Sequence, residues 1–255
     1  MSFVFHSPAP LEDADADHAP WTPRDTALGV ALTLGPLIAF SLYNMIAARG
    51  AGNATRPFTP QEDLIVAIFQ FVITGALEAV FLIAPIYYAR KRAGANAPQA
   101  LGLRSFHPGM AIGLLILSAA GVYIGSVLYD AIASLLHITI QTNIDPLISE
   151  LHQAPLVVYA SLLVAVIVAP ICEELFFRGF LLQGLRQNMP AWAAIGVSSL
   201  IFAAAHLSLG SFPILLILAI FLGILRVATR SIWPGVILHT LNNLLGLLYV
   251  LTLKH

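Results

Sequence analysis

Long apolar runs separated by short polar breaks dominate the chain. Runs near 27–47, 64–89, 109–136, 156–187, 191–207, 213–229 and 232–251 each approach the roughly 20 apolar residues that a bilayer-spanning helix needs. Helices are the expected state, because lipid cannot satisfy exposed backbone groups and the short alternating strands of a barrel are missing from the pattern. The fourth run is too long for one straight span and contains Pro170, which predicts a kink there, or an eighth span if the run is split. The expected fold is therefore all-α, a polytopic transmembrane bundle of seven to eight spans with no internal repeat. Residues 1–25 break this pattern. They carry Glu12, Asp13, Asp15, Asp17 and several prolines, and are expected to form a disordered acidic tail. They lack the basic start and short apolar stretch of a signal peptide, so the N-terminus is expected to be retained. Residues 26–255 are expected to form the membrane-embedded bundle.

Composition agrees with the pattern. The 255 residues are 58% hydrophobic and 10% charged, against about 25% charged for an ordinary soluble domain, which makes this an integral membrane protein. A net charge of -1 gives no sign of nucleic-acid binding. The single cysteine, Cys172, forms no internal disulfide. It adjoins Glu173, so a metal-ligand reading arises, but a small apolar residue filling a helix interface is the simpler one. Basic residues set the orientation. Arg90, Lys91, Arg92 and Arg104 share one break, Arg186 lies in another, and Arg226 and Arg230 in a third. These fall on one side together with Arg24 and the tail, whereas the other side holds Arg49, Arg56 and Lys254. The N-terminus and the basic loops are thus expected in the cytoplasm. Trp21, Trp192 and Trp233 lie where interfacial anchors on that side would be.

Three polar clusters interrupt the later apolar runs: Glu173-Glu174-Leu175-Phe176-Phe177-Arg178, Phe202-Ala203-Ala204-Ala205-His206, and His239-Thr240-Leu241-Asn242-Asn243. Ionisable groups at membrane depth are costly and commonly carry function. Counted from the turn at Asn188-Met189-Pro190, Glu174 and His206 lie roughly 20 Å along their helices, and His239 and Asn243 roughly 10 to 16 Å along theirs. Three distant segments are thus expected in one layer among the last four spans. Residues four apart share a helix face. Arg178 should pair with Glu174, leaving Glu173, about 100° around the helix, as the acid–base group. His239 and Asn243 can point into one cavity, where Asn243 can donate to a developing oxyanion. Phe202 shares the face of His206 and can shape the pocket.

These residues resemble the CPBP family of intramembrane proteases, which includes the type II CAAX prenyl endopeptidases and bacteriocin-processing or immunity proteins. Glu173, Glu174 and Arg178 match its EExxxR motif, Phe202 and His206 its FxxxH, and His239 and Asn243 its HxxxN, in the right order. The motif-bearing core spans about 155–247, and Leu101-Gly102-Leu103-Arg104 is also similar to members of the family. The resemblance implies hydrolysis of peptide bonds in membrane-associated or lipid-modified proteins. Glu173 and His206 would activate the water, His239 and Asn243 would stabilise the oxyanion, and Glu174 and Arg178 would support them. Implied partners are membrane lipids and a membrane-associated or prenylated substrate, in what looks like a bacterial inner membrane.

Glu173, His206 and His239 are also a set that can hold zinc and leave a position for water. No His-Glu-x-x-His helix is present, and a glutamate-dependent route needs only a polarised water. That route is preferred, with zinc left open. Two rival readings stand beside the protease: a proton-coupled transporter, since membrane Glu and His also form relays, and a non-catalytic immunity or scaffold protein of the same fold. Glu78, in the second run, has no evident partner in sequence; it can face the cavity, but a structural role is its simpler reading. Gly121 and Gly125 have the spacing that lets helices approach closely. His107, His137, His152, Asp130, Asp145 and Glu150 fall near breaks and are expected to be solvated or interfacial, and His255 needs no role.

Overall fold

The computed structural model describes residues 19–50, 58–138, 140, 151 and 154–252. Seven long helices run through them: α1 (Pro23–Gly50), α2 (Pro60–Ala93), α3 (Pro108–Leu135), α4 (Pro155–Leu185), α5 (Ala191–Ala205), α6 (Phe212–Thr229) and α7 (Trp233–Thr252). The described residues contain no strand. α1, α2, α3, α4 and α6 are long and apolar enough to cross a membrane. α5 is a shorter apolar helix, and α7 carries His239, Asn242 and Asn243 among its 20 residues. α4 is continuous through Pro170, so the fourth run is not split into two helices. The residues left outside the described set include most of the expected acidic tail, Arg56, Asp145, Glu150, His152, Lys254 and His255.

Local chemistry sets the helix ends. Pro60, Pro108 and Pro155 open their helices, where a missing N–H costs nothing. Thr59 and Glu62 form a reciprocal capping box at the start of α2. Arg90, Lys91 and Arg92 fill its last turn, complementing the helix dipole, before the left-handed Gly94. The start of α4 has no cap of its own. Asp63 of α2 supplies it, accepting from the Leu156 N–H at 2.9 Å and the Val157 N–H at 3.1 Å. That contact fixes α2 alongside α4.

The core lies where α1, α2, α4 and α5 meet. Phe176, Phe177 and Phe180 of α4 pack with Trp21, Tyr88 and Phe202. Trp21 is not an interfacial anchor. It is buried against Phe180, with ring centroids 5.0 Å apart, because Gln187 donates to the carbonyls of Ala19 and Trp21 and draws the segment before α1 inward. Trp192 and Trp233 are exposed. Thr22 and Asp25 exchange capping hydrogen bonds, so order begins before residue 25. Arg92 pairs with Asp25 at 2.7 Å, tying the end of α2 to the start of α1. A second core joins α3, α6 and α7. A Cβ at Gly121 would strike the Phe221 ring, and one at Gly125 would lie 2.9 Å from Ile217 Cδ1, so this small-residue pair does admit α6. The outward faces of α2 and α3 expose Ile68, Phe69, Val72, Ile116, Leu117 and Ile124, as helices that contact lipid do. His107 caps α3 through Nδ1, His137 turns the chain after α3, and Asp130 is exposed.

Candidate active site

The first motif lies on α4 between two π-helical segments, Val164–Val168 and Leu175–Leu181. Wide turns of this kind recur at functional sites, and here the cause of the first is readable. Ala169 donates its N–H to Val164 rather than to Ala165. The next donor in that wider register would be Pro170, which has no N–H. The Ala165 carbonyl is thereby left to another partner. Asn243 of α7 provides it, donating from Nδ2 at 2.8 Å.

Below that turn, Glu174 and Arg178 form the expected i,i+4 ion pair, Oε1 to Nη1 at 3.0 Å, with side-chain exposures of 0% and 1%. Arg178 also donates from Nη2 to the Ala219 carbonyl of α6 at 3.2 Å. Its guanidinium carbon lies over the Phe202 ring, 4.5 Å from the centroid, a favourable placement for a desolvated cation. The buried Glu174 charge is thus held by one cation, which is itself held by a carbonyl and a ring face.

His239 of α7 bridges the two glutamates. Nδ1 lies 3.3 Å from Glu174 Oε1, and Nε2 lies 3.8 Å from Glu173 Oε2. Gly235, one turn earlier, makes this approach possible. A Cβ there would lie 2.8 Å from Glu174 Oε2. The depth of α7 is set at its start, where Ile232 donates to the Gly102 carbonyl at 3.0 Å and Ser231 Oγ to the Arg104 carbonyl at 2.8 Å. The Leu101-Gly102-Leu103-Arg104 stretch therefore anchors the helix that carries His239.

His206 caps the end of α5. Its Nδ1 lies 2.8 Å from the Phe202 carbonyl. A carbonyl only accepts, so Nδ1 carries the proton and the neutral ring keeps Nε2 as a free base. The Phe202 ring lies against both histidines, with centroids 4.8 Å from His206 and 5.7 Å from His239. Glu173, Glu174, Arg178, Phe202, His206 and His239 are thus brought together from α4, α5 and α7, with α6 contributing the Ala219 carbonyl. Asn243 sits one turn beyond His239, donating to Ala165 and accepting at Oδ1 from Asn242 Nδ2 at 3.3 Å. The amide has two hydrogens, and Ala165 takes one. Cys172 is buried.

Sequence reasoning missed two contributors. The Ala219 carbonyl carries no sequence signal. Gly235 did, standing four residues before His239 on the face turned to α4. Glu78 of α2, which the sequence offered as able to face the cavity, has its Oε2 buried without a hydrogen bond. As for zinc, no group of three His, Cys, Asp or Glu side chains among the described residues is placed to hold a metal ion. Glu173, His206 and His239 do not form such a group, so the donor set does not fit a resident zinc.

Residues 155–245 match the family described as type II CAAX prenyl endopeptidase Rce1-like. The matched segment is about a third of the chain, and it holds all three motifs and α4 to α7 almost entirely. It bears out the resemblance to the CPBP and CAAX-protease family, at whose level the activity is intramembrane proteolysis. No curated protein and no solved structure matches the chain.

Proposed function

We propose that this protein is an intramembrane endopeptidase that hydrolyses peptide bonds of membrane-associated or lipid-modified proteins. One observation carries the reading. In a buried layer with two adjacent carboxylates, Arg178 pairs with Glu174, and Glu173 has no guanidinium of its own, with His239 Nε2 3.8 Å from its Oε2. A carboxylate neutralised by a guanidinium is a poor base, and one without such a partner is a good one.

Glu173 and the free Nε2 of His206 hold a water. Glu173 takes its proton as the oxygen adds to the scissile carbonyl, and returns that proton to the leaving amine. His239 and the second Nδ2 hydrogen of Asn243 donate to the oxyanion of the tetrahedral intermediate. Glu174 and Arg178 hold His239 and the α4 turn in place, and Phe202 spaces the two imidazoles. The substrate backbone enters between α4, α5 and α7. The N-terminus and the basic loops face the cytoplasm, in a bacterial inner membrane.

The experiment compares peptide termini in membranes that contain the protein or its Glu173→Gln variant. New termini in membrane-associated proteins that appear only with the unaltered protein support the reading and identify substrates. Identical terminal sets would overturn it.

A further inference from the structure

Glu78 enters the layer of Glu173 from α2. The two helices run in the same direction. Asp63 meets Leu156 and Val157 near one end, and Phe81 meets Phe176 and Phe177 further along, with ring centroids 5.3 and 5.8 Å apart. This register sets Glu78 level with Cys172 and Glu173. The Glu78 Oε2 atom is closed off from solvent and makes no hydrogen bond, and the same holds for Glu173 Oε2. The guanidinium of this layer, Arg178, is committed to Glu174 and Ala219. One turn away from the layer, Gln70 and Thr74 satisfy each other.

An apolar side chain would fill this position at far lower cost than a carboxyl without a cation. Two carboxyls at close quarters in a dry site hold one proton between them, because both cannot ionise.

We propose that Glu78 is a positioning residue of the hydrolytic centre, the protonated member of a two-carboxyl pair that leaves Glu173 ionised and turned toward the water. The inference rests on the peptidase reading of Glu173. A protonated carboxyl is a hydrogen-bond donor. Its O–H turns onto one Glu173 oxygen and leaves the other to accept the proton of water. That proton goes from water to Glu173 and then to the leaving amine, while Glu78 keeps its own throughout. The pair begins and ends the cycle with one proton.

The test uses the full chain in liposomes with Glu78→Gln and Glu78→Leu. Glutamine keeps a neutral donor and so retains most of the parental kcat. Leucine removes the donor, and kcat falls about tenfold to a hundredfold with KM unchanged. A packing role predicts the reverse order, since leucine fills an apolar site better than an amide. Infrared spectra at neutral pH supply a readout that does not need turnover: the parent shows a protonated-carboxyl stretch that Glu78→Gln lacks. A leucine variant as active as the glutamine variant, or a stretch unchanged in Glu78→Gln, overturns the proposal. If neither parent nor Glu173→Gln hydrolyses any peptide, the peptidase reading fails by itself, and the infrared comparison still decides whether the proton resides on Glu78.

Discussion

Asn243 Nδ2 donates to the Ala165 carbonyl at 2.8 Å, and that carbonyl is free because Pro170 supplies no N–H in the wider turn between them. A side chain of α7 thus completes the backbone of α4 about two turns before Glu173. Removing it in Asn243→Ala strands the carbonyl in an apolar layer and should cost about 1 to 3 kcal/mol. Pro170→Ala restores an N–H, so the loss from Asn243→Ala should be smaller in that background. Denaturant titration of the four proteins in detergent measures the coupling, expected at about 0.5 to 3 kcal/mol. Strictly additive losses would separate Asn243 from the Pro170 turn.

Gly235→Ala should destabilise the protein although it improves helix propensity. In an exposed helix the change gains about 1 kcal/mol. Here the new Cβ lies 2.8 Å from Glu174 Oε2, and overpacking of this kind costs about 1 to 3 kcal/mol. Thermal unfolding reads the sign. A raised midpoint would show that the contact between α7 and α4 is looser than described.

Arg178→Leu leaves Glu174 buried without its cation, which should cost about 3 to 5 kcal/mol. Adding Glu174→Gln should recover a large part of that loss, since no charge is then stranded. The two single variants and the double variant form the cycle, read by unfolding. A double variant no more stable than Arg178→Leu would mean that Arg178 acts chiefly through Ala219 and Phe202.

Asp63→Ala provides a contrast far from the reacting groups. It removes the acceptor for Leu156 and Val157 at the start of α4, and loss of a helix cap costs about 0.5 to 2 kcal/mol. Asp63→Asn keeps one acceptor oxygen and should lose less. Both variants should keep the parental kcat at temperatures where they remain folded.

Much of this architecture was legible in the sequence because it depends on one-dimensional properties. The length of each apolar run places α1 to α7 to within a few residues, and the i,i+4 spacing of Glu174 and Arg178 places their ion pair. What escaped depends on which helix lies beside which. Glu78 looked partnerless because the parallel register of α2 and α4 follows from Asp63 and Phe81, not from anything adjacent to Glu78. The link from Asn243 to Ala165 requires the π-turn created around Pro170, where only a kink was expected. Trp21 has the position of an interfacial anchor, and only its contact with Phe180 shows that it belongs to the core.

Turnover of a membrane-anchored reporter peptide by purified protein in liposomes tests the central claim most directly, with Glu173→Gln and His206→Ala assayed beside the parent. Each change removes a group that activates the water, and each should lower kcat by about a hundredfold or more while leaving KM and folding unchanged. Cleavage at the parental rate by folded Glu173→Gln would contradict the account.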